Sequence, residues 1–263
     1  MDLKLKGKRG LVTGASRGLG YAIALGLAKE GAIVVLNGRN ESSLSIAAEK
    51  LHRETGVEVK TAVGDVVDPA ALDKLVARAV GEMGGLDVLV TNSGGPPPGK
   101  FESFDDLAWQ KAIDLVFMSH VRLIRAALPH LRRSSIASVL TLTSYSVKQP
   151  IVNLVLSNSV RAATVGLTKS LALELGADGI RFNSILPAWT ETERVYELMS
   201  DRAKLRGTSV EEEIDRQSSE SPLGRMCKPE ELANVAVFLL SPAASYVTGV
   251  MLTVDGGMYK GTF

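Results

Sequence analysis

The sequence predicts one doubly wound α/β domain built on a seven-stranded parallel sheet. Three observations predict it. Strand-like and helix-like patterns alternate along the 263 residues, the order a parallel sheet with helices on both faces requires. Strand candidates such as Ile33-Val34-Val35-Leu36 are continuously apolar, as strands covered on both faces are. A glycine-rich turn, Thr13-Gly14-Ala15-Ser16-Arg17-Gly18-Leu19-Gly20, joins the first strand to the first helix, the arrangement of a nucleotide site.

The elements follow in order. Arg9 to Thr13 reads as strand one and Gly18 to Glu30 as helix one. After the apolar second strand, Glu41 to Glu54 carries Leu44, Ala47, Ala48 and Leu51 at helical spacing, and Val57 to Val63 is strand three. Pro69 suits the first turn of a helix that continues through Leu72, Leu75, Val76 and Ala79. Leu86 to Val90 is strand four, followed by the stiff loop Gly94-Gly95-Pro96-Pro97-Pro98-Gly99. One long helix is predicted over Asp105 to Leu131, strand five over Ser138 to Thr143, and a second long helix over Asn153 to Leu175. Strand six spans Arg181 to Leu186 and stops at Pro187. Thr190 to Ser221 is polar and weakly periodic, an excursion rather than a sheet element. Pro229 to Leu240 is a last amphipathic helix and Val250 to Val254 the seventh strand. The whole of 1–263 reads as a single domain.

Composition narrows the function classes. A net charge of +1 gives no electrostatic reason to expect nucleic acid or a membrane surface. Cys227 is the single cysteine, so an intrachain disulfide and a metal-cysteine cluster are excluded, and no metal is expected. Met1 to Lys6 lacks the apolar stretch of a signal peptide, and no apolar run approaches the roughly 20 residues of a membrane span. The expected location is cytoplasmic.

Right-handed crossovers place the C-terminal ends of all strands on one edge, where ligands bind. The Gly14–Gly20 turn, the Asn37–Asn40 turn, Asp65, the Asn92–Gly99 loop, Ser144 and Pro187 all follow strands and converge there. Gly14, Gly18 and Gly20 are spaced G-x-x-x-G-x-G, not G-x-G-x-x-G; the competing reading is a tight turn with close helix packing. Strand two ends Leu36-Asn37-Gly38-Arg39-Asn40, without the carboxylate that accepts from a ribose 2′-OH in NAD sites. Arg39 can instead pair with a 2′-phosphate, with Arg17 as a second cation, which points to NADP(H) over NAD(H); otherwise Arg39 is a solvated turn residue. Asp65 can accept from an adenine amino group, Asp68 can cap the following helix, and Asn92 reads as a turn residue whose amide ties neighbouring strands.

Taken together, Thr13-Gly14-x-x-x-Gly18-x-Gly20, Asp65, Asn92-Ser93-Gly94, Asn183-x-x-x-Pro187 and Val254-Asp255-Gly256-Gly257 resemble the short-chain dehydrogenase/reductase family over nearly the whole chain. Pro222-Leu223-Gly224-Arg225 followed by Pro229-Glu230-Glu231 resembles its 3-oxoacyl-(acyl-carrier-protein) reductase branch. The resemblance implies a Rossmann-type fold and hydride transfer between a nicotinamide cofactor and a carbonyl or secondary alcohol. It implies cofactor contacts from Gly14, Ser16, Arg17, Gly18, Leu19, Gly20, Arg39, Asp65, Val66, Asn92, Gly94, Arg161, Pro187 and Thr190. It also implies a relay of Ser, Tyr and Lys, the last two spaced Y-x-x-x-K on the second long helix, often with an Asn on the first.

Ser144 matches the family serine. The segment from Arg161 to Ala172 resembles the one that begins with the lysine, so the lysine position is Arg161 and the tyrosine position Ser157, in Ser157-Asn158-Ser159-Val160-Arg161. The Asn position falls at about Val116. Three of four relay positions therefore differ. A serine hydroxyl is a far weaker acid than a phenol of pKa about 10, and an arginine titrates too high to shuttle protons. Losing a positioned general acid typically costs about 10²–10⁴ in rate. Ser144, Ser157 and Arg161 remain the catalytic candidates, with Tyr145, Tyr196 and His120 as substitute donors; alternation along an extended segment predicts that Ser144 and Tyr145 point apart. The alternative is a dinucleotide-binding protein that no longer catalyses, a sensor or structural partner.

The family's matching segment makes about 188–222 a substrate lid, or else a solvated insertion, with Ala188 replacing a family glycine and Trp189 and Gly94–Gly99 walling the pocket. The long helices have apolar residues on more than one face, and family members commonly form tetramers through them; a homotetramer or homodimer is expected, against burial within one domain.

Overall fold

Alternation of the strand side chains builds two core layers. In the computed structural model, which describes residues 1–262, seven parallel strands form one sheet in the order β3-β2-β1-β4-β5-β6-β7. The strands are β1 (Arg9–Val12), β2 (Ile33–Gly38), β3 (Val59–Val63), β4 (Val88–Thr91), β5 (Ser138–Leu142), β6 (Arg181–Pro187) and β7 (Met251–Val254). Val12, Val34, Leu36, Val88, Val90 and Leu140 pack on one face with α1 (Gly18–Lys29), α2 (Glu41–Thr55) and α9 (Pro229–Leu240). Their neighbours Leu11, Val35, Leu89, Val139 and Phe182 pack on the other with α3 (Pro69–Met83), α5 (Ser119–Leu131) and α6 (Val155–Glu174). Residues i and i+1 thus feed opposite layers, which is why the strands read as unbroken apolar runs. The single expected domain holds over the described residues; Phe263 lies outside them.

The strand order reverses beside β1, whose two neighbours are β2 and β4; Val12 pairs with both Leu36 and Val90. A crevice opens there at the C-terminal ends of the strands. Helix starts explain much of the local geometry. Asn40 caps α2 by accepting from Ser43 N–H, and Asp68 caps α3 by accepting from Ala70 N–H, with Pro69 in the first turn.

Two expectations need correction. The helix expected over Asp105–Leu131 is interrupted: α4 (Asp106–Ile113) passes into a π-helical turn, Asp114–Met118, before α5. The wider turn leaves carbonyls for side chains to satisfy. Thr164 Oγ1 donates to Val116 O at 2.8 Å and Ser119 Oγ to Leu115 O at 2.6 Å. The weakly periodic stretch 190–221 is largely helical, as α7 (Glu193–Arg206) and α8 (Val210–Ser219). An apolar cluster that takes Met199 from α7, with Val210 and Ile214 of α8 packed against it, docks these helices, and polar contacts set their starts and their mutual fit. Ser209 and Glu212 form a capping box, and Glu213, buried, accepts from Arg206, Arg216 and Thr208. The Ser209-x-x-Glu212 signature is the signal that periodicity missed. Among the described residues no helix is long and apolar enough to cross a membrane.

Candidate functional site

A cavity of about 600 Å³ lies along the C-terminal strand edge, and every expected cofactor-contact residue except Gly20 lines it, as do Ser144, Ser157 and Arg161. Gly20 packs behind it: a Cβ there would collide with the Gly14 carbonyl oxygen and lie 2.9 Å from Asn92 Nδ2. At the β1 end, Gly14 and Gly18 have φ of +57° and +59°, conformations that L side chains rarely adopt. Helix α1 then starts with neither a side-chain cap nor an acidic residue in its first turn. Its first N–H groups are left for an anion, and the helix dipole favours one. This contrasts with α2, α3, α4 and α8, each capped by its own Asn, Asp or Ser.

Asn92 does hold strands together. Its Nδ2 donates to Gly14 O at 3.1 Å, and its backbone exchanges hydrogen bonds with Thr13 Oγ1. Asp65 turns its own loop, Oδ1 accepting from Val67 N–H at 3.1 Å. Arg39, exposed at the end of β2, has no ion pair among the described residues. Arg17 differs from expectation: its guanidinium reaches α7, 3.0 Å from Glu193 and 3.8 Å from Glu197. Both ends of these pairs are largely exposed, so the bridges tie the glycine turn loosely to α7.

The inner end of the cavity holds Ser144, Ser157 and Arg161. Arg161 Nε donates to Ser157 Oγ at 3.1 Å, and Nη1 donates to the carbonyls of Thr143 and Leu142 at 3.1 and 3.4 Å. The guanidinium is therefore fixed against the end of β5. Burial pushes its pKa down to about 10, which leaves it charged at neutral pH. Ser144 Oγ accepts from Ser146 N–H at 3.2 Å.

The substitute donors fare unequally. Tyr145 lines the cavity together with Ser144, contrary to the expectation that they point apart. The chain leaves extended geometry after Ser144 and enters a 3₁₀ turn over Tyr145–Val147, so the alternation stops. The ring is buried in a cluster with Leu186, Trp189 and Met199, and burial pushes its pKa up. His120 is buried behind the cavity, with Nδ1 2.6 Å from Thr91 Oγ1 and Nε2 without a hydrogen-bond partner among the described residues. Burial first, and the Arg161 charge second, push its pKa down to about 3. Tyr196 is partly exposed on α7 and does not line the cavity, nor does Val116.

The outer wall comes from Gly94, Gly95, Pro96, Trp189 and, on α7, Val195 and Leu198. The α7 side chains were not legible as wall residues, because only the docking of α7 turns them inward. Trp189 is clamped by Cys227 N–H donating to its carbonyl at 3.0 Å, and Arg202 stacks 4.8 Å from its ring. Among the described residues no cluster of metal-ligating side chains occurs. Chemically, the cavity offers an anion cradle at one end and two hydroxyls beside a fixed cation at the other.

The family model described as enoyl-(acyl carrier protein) reductase matches residues 14–259. Gluconate 5-dehydrogenase from Gluconobacter oxydans is 36% identical over 258 residues, covering 97% of this chain and 95% of that protein. The 3-oxoacyl-(acyl-carrier-protein) reductase of Aquifex aeolicus is 30% identical over 260 residues, covering 98% and 100%. Among solved structures, L-sorbose reductase from Gluconobacter frateurii, complexed with NADPH and L-sorbose, superposes with a TM-score of 0.95 at 35% identity, covering 99% of this chain and 100% of that one. With its sheet order, its glycine turn and these matches, the chain belongs to the short-chain dehydrogenase/reductase family.

Proposed function

We propose that the protein is an NADP(H)-dependent oxidoreductase acting on a carbonyl or secondary alcohol. The observation that carries this reading is the uncapped start of α1, open to the same cavity as Ser144 and Ser157. The cradle fits a dinucleotide. Its N–H groups and the left-handed Gly14 and Gly18 suit a pyrophosphate, and the unpaired Arg39 suits a 2′-phosphate. Ser16, Leu19, Val66, Gly94, Pro187 and Thr190 line the remaining length. That L-sorbose reductase is complexed with NADPH supports the choice.

When bound, the nicotinamide supplies or accepts the hydride. The chain supplies orientation and the proton path. Ser144 holds the substrate oxygen, Arg161 serves the ribose, and Ser157 or an ordered water passes a proton slowly, because its hydroxyl is a weak acid. Residues 188–222 act as the lid, which excludes water when closed. The protein works in the cytoplasm as a homodimer or homotetramer; the exposed Leu107 on α4 and Leu173 on α6 support a partner surface there. A monomer at micromolar concentration in sedimentation velocity would overturn that.

A second reading is favoured by the relay itself: Ser157 and Arg161 hold each other where a Tyr–Lys pair would act. In that reading the chain binds the dinucleotide and does not turn over. NADPH fluorescence titration followed by a panel of ketones, aldehydes and alcohols separates the two. The first reading expects tight NADPH binding and slow turnover that Ser144→Ala or Ser157→Ala lowers at least about tenfold. Turnover lost in Tyr145→Phe but kept in Ser157→Ala would move the donor to Tyr145. Binding with no turnover would establish the second reading.

A further inference from the structure

The inner cavity holds a positive charge that no ion pair among the described residues balances. Arg161 makes no salt bridge among the described residues, and burial is the one influence resolved on its titration. His120, the titratable neighbour behind it, is neutral above pH of about 3. Arg161 is half-buried in the cavity wall, and a partly desolvated cation without an anion is stabilised when an anionic ligand completes the pair.

Geometry shows which edge of the guanidinium is available. Nε is committed to Ser157 and Nη1 to the Thr143 and Leu142 carbonyls. Nη2 has no hydrogen bond among the described residues. A Cβ on Gly95 would stand 3.8 Å from Nη2, ordinary van der Waals contact, so Gly95 forms the wall beside that edge, and both residues line the cavity. Ser157 accepts through its oxygen from Nε, so its own proton is free for a ligand. A hydroxyl donor and an unused N–H edge thus stand side by side, separated by one edge of the guanidinium plane. One carboxylate oxygen can accept a charge-assisted hydrogen bond from Nη2 while the other accepts from the Ser157 hydroxyl.

We propose that Arg161 Nη2 and the Ser157 hydroxyl form a docking point for a carboxylate beside the reacting carbonyl, so that the substrates are 2-oxo acids or 2-hydroxy acids rather than neutral ketones or alcohols. The proposal rests on the oxidoreductase reading for what happens next, but the binding it describes needs no turnover. Arg161 is then a specificity residue: its Nη2 and the Ser157 hydroxyl meet the carboxylate, while Ser144 meets the carbonyl oxygen.

The test uses the full chain saturated with NADPH and two probes of equal chain length, 2-oxohexanoate and 2-hexanone, measured by isothermal titration calorimetry. The oxo acid is expected to bind at least about tenfold tighter than the ketone, about 1.4 kcal/mol. In Arg161→Met that ratio falls to about one, and in Arg161→Lys it is partly kept. A role at the ribose alone would weaken NADPH and leave the ratio unchanged, which overturns the proposal. So would equal binding of the two probes, or failure of the oxo acid to bind at millimolar concentration. If Arg161→Met does not fold, the Arg161→Lys ratio decides: a wild-type ratio there rejects the role given to Nη2. An oxo acid that binds but is not reduced keeps the carboxylate docking point and counts against the oxidoreductase reading.

Discussion

At the scale of single residues, charge placement does most of the work. Arg39 stands exposed and unpaired at the end of β2, while Arg17 is drawn to Glu193 and Glu197 on α7. Under the proposed NADP(H) reading, Arg39 is the cation left open to a 2′-phosphate. Arg39→Ala is expected to weaken NADPH about tenfold, ~1.4 kcal/mol, and to leave NADH within about twofold; fluorescence titration of both cofactors checks it. His120 sets a different expectation. Its folded pKa of about 3 lies below the ordinary value of 6.5. Above 6.5 both folded and unfolded chains hold it neutral, and its contribution to stability is complete. Between 6.5 and 3 the unfolded chain takes up a proton that the folded one refuses, so stability falls as pH falls. Thermal melts from pH 7 to 4 should drop less steeply in His120→Asn than in the wild type.

At the scale of elements, the segments around the cavity are held by polar contacts that periodicity does not register. The π turn at Asp114–Met118 depends on Thr164, whose hydroxyl satisfies the buried Val116 carbonyl. Thr164→Val keeps the shape and removes the donor. A buried acceptor left unpaired costs about 1–3 kcal/mol, so the melting temperature should fall by roughly 2–10 °C for a chain of this size. Differential scanning calorimetry measures it. The α7–α8 pair depends in the same way on Glu213, which gathers Arg206, Arg216 and Thr208. Glu213→Ala should loosen that pair, seen as faster proteolysis near Gly207, while the sheet's own unfolding changes little.

At the scale of the molecule, the sheet is a platform whose two buried layers fix where strand ends converge. A ligand lying along that edge touches β1, β2, β4, β5 and β6 at once, so its binding energy is felt by the whole fold. NADPH at 100 times its dissociation constant should add about 2.7 kcal/mol, raising the melting temperature by roughly 5–10 °C. NADH at the same concentration should add less, and so should NADPH with Arg39→Ala.

What the sequence by itself determined is the platform and its ends. Unbroken apolar runs, Asn40 and Asp68 as caps, and a glycine turn after β1 are local signals, and local signals survive without knowledge of packing. They placed Gly14, Arg39, Asp65, Asn92 and Ser144 around one cavity because all follow strands whose direction the crossovers fix, whereas Ser157 was reached only through the family resemblance. Tertiary structure alone decided the rest. It sent Arg17 to α7, turned Tyr145 back into the wall through a 3₁₀ turn, and set Val195 and Leu198 facing the cavity. It also locked two edges of the Arg161 guanidinium and left the third open. The reason is physical: a strand end is fixed by hydrogen bonds along the sheet, but the direction of a long side chain is fixed by whatever carboxylate, carbonyl or empty space distant segments bring to it.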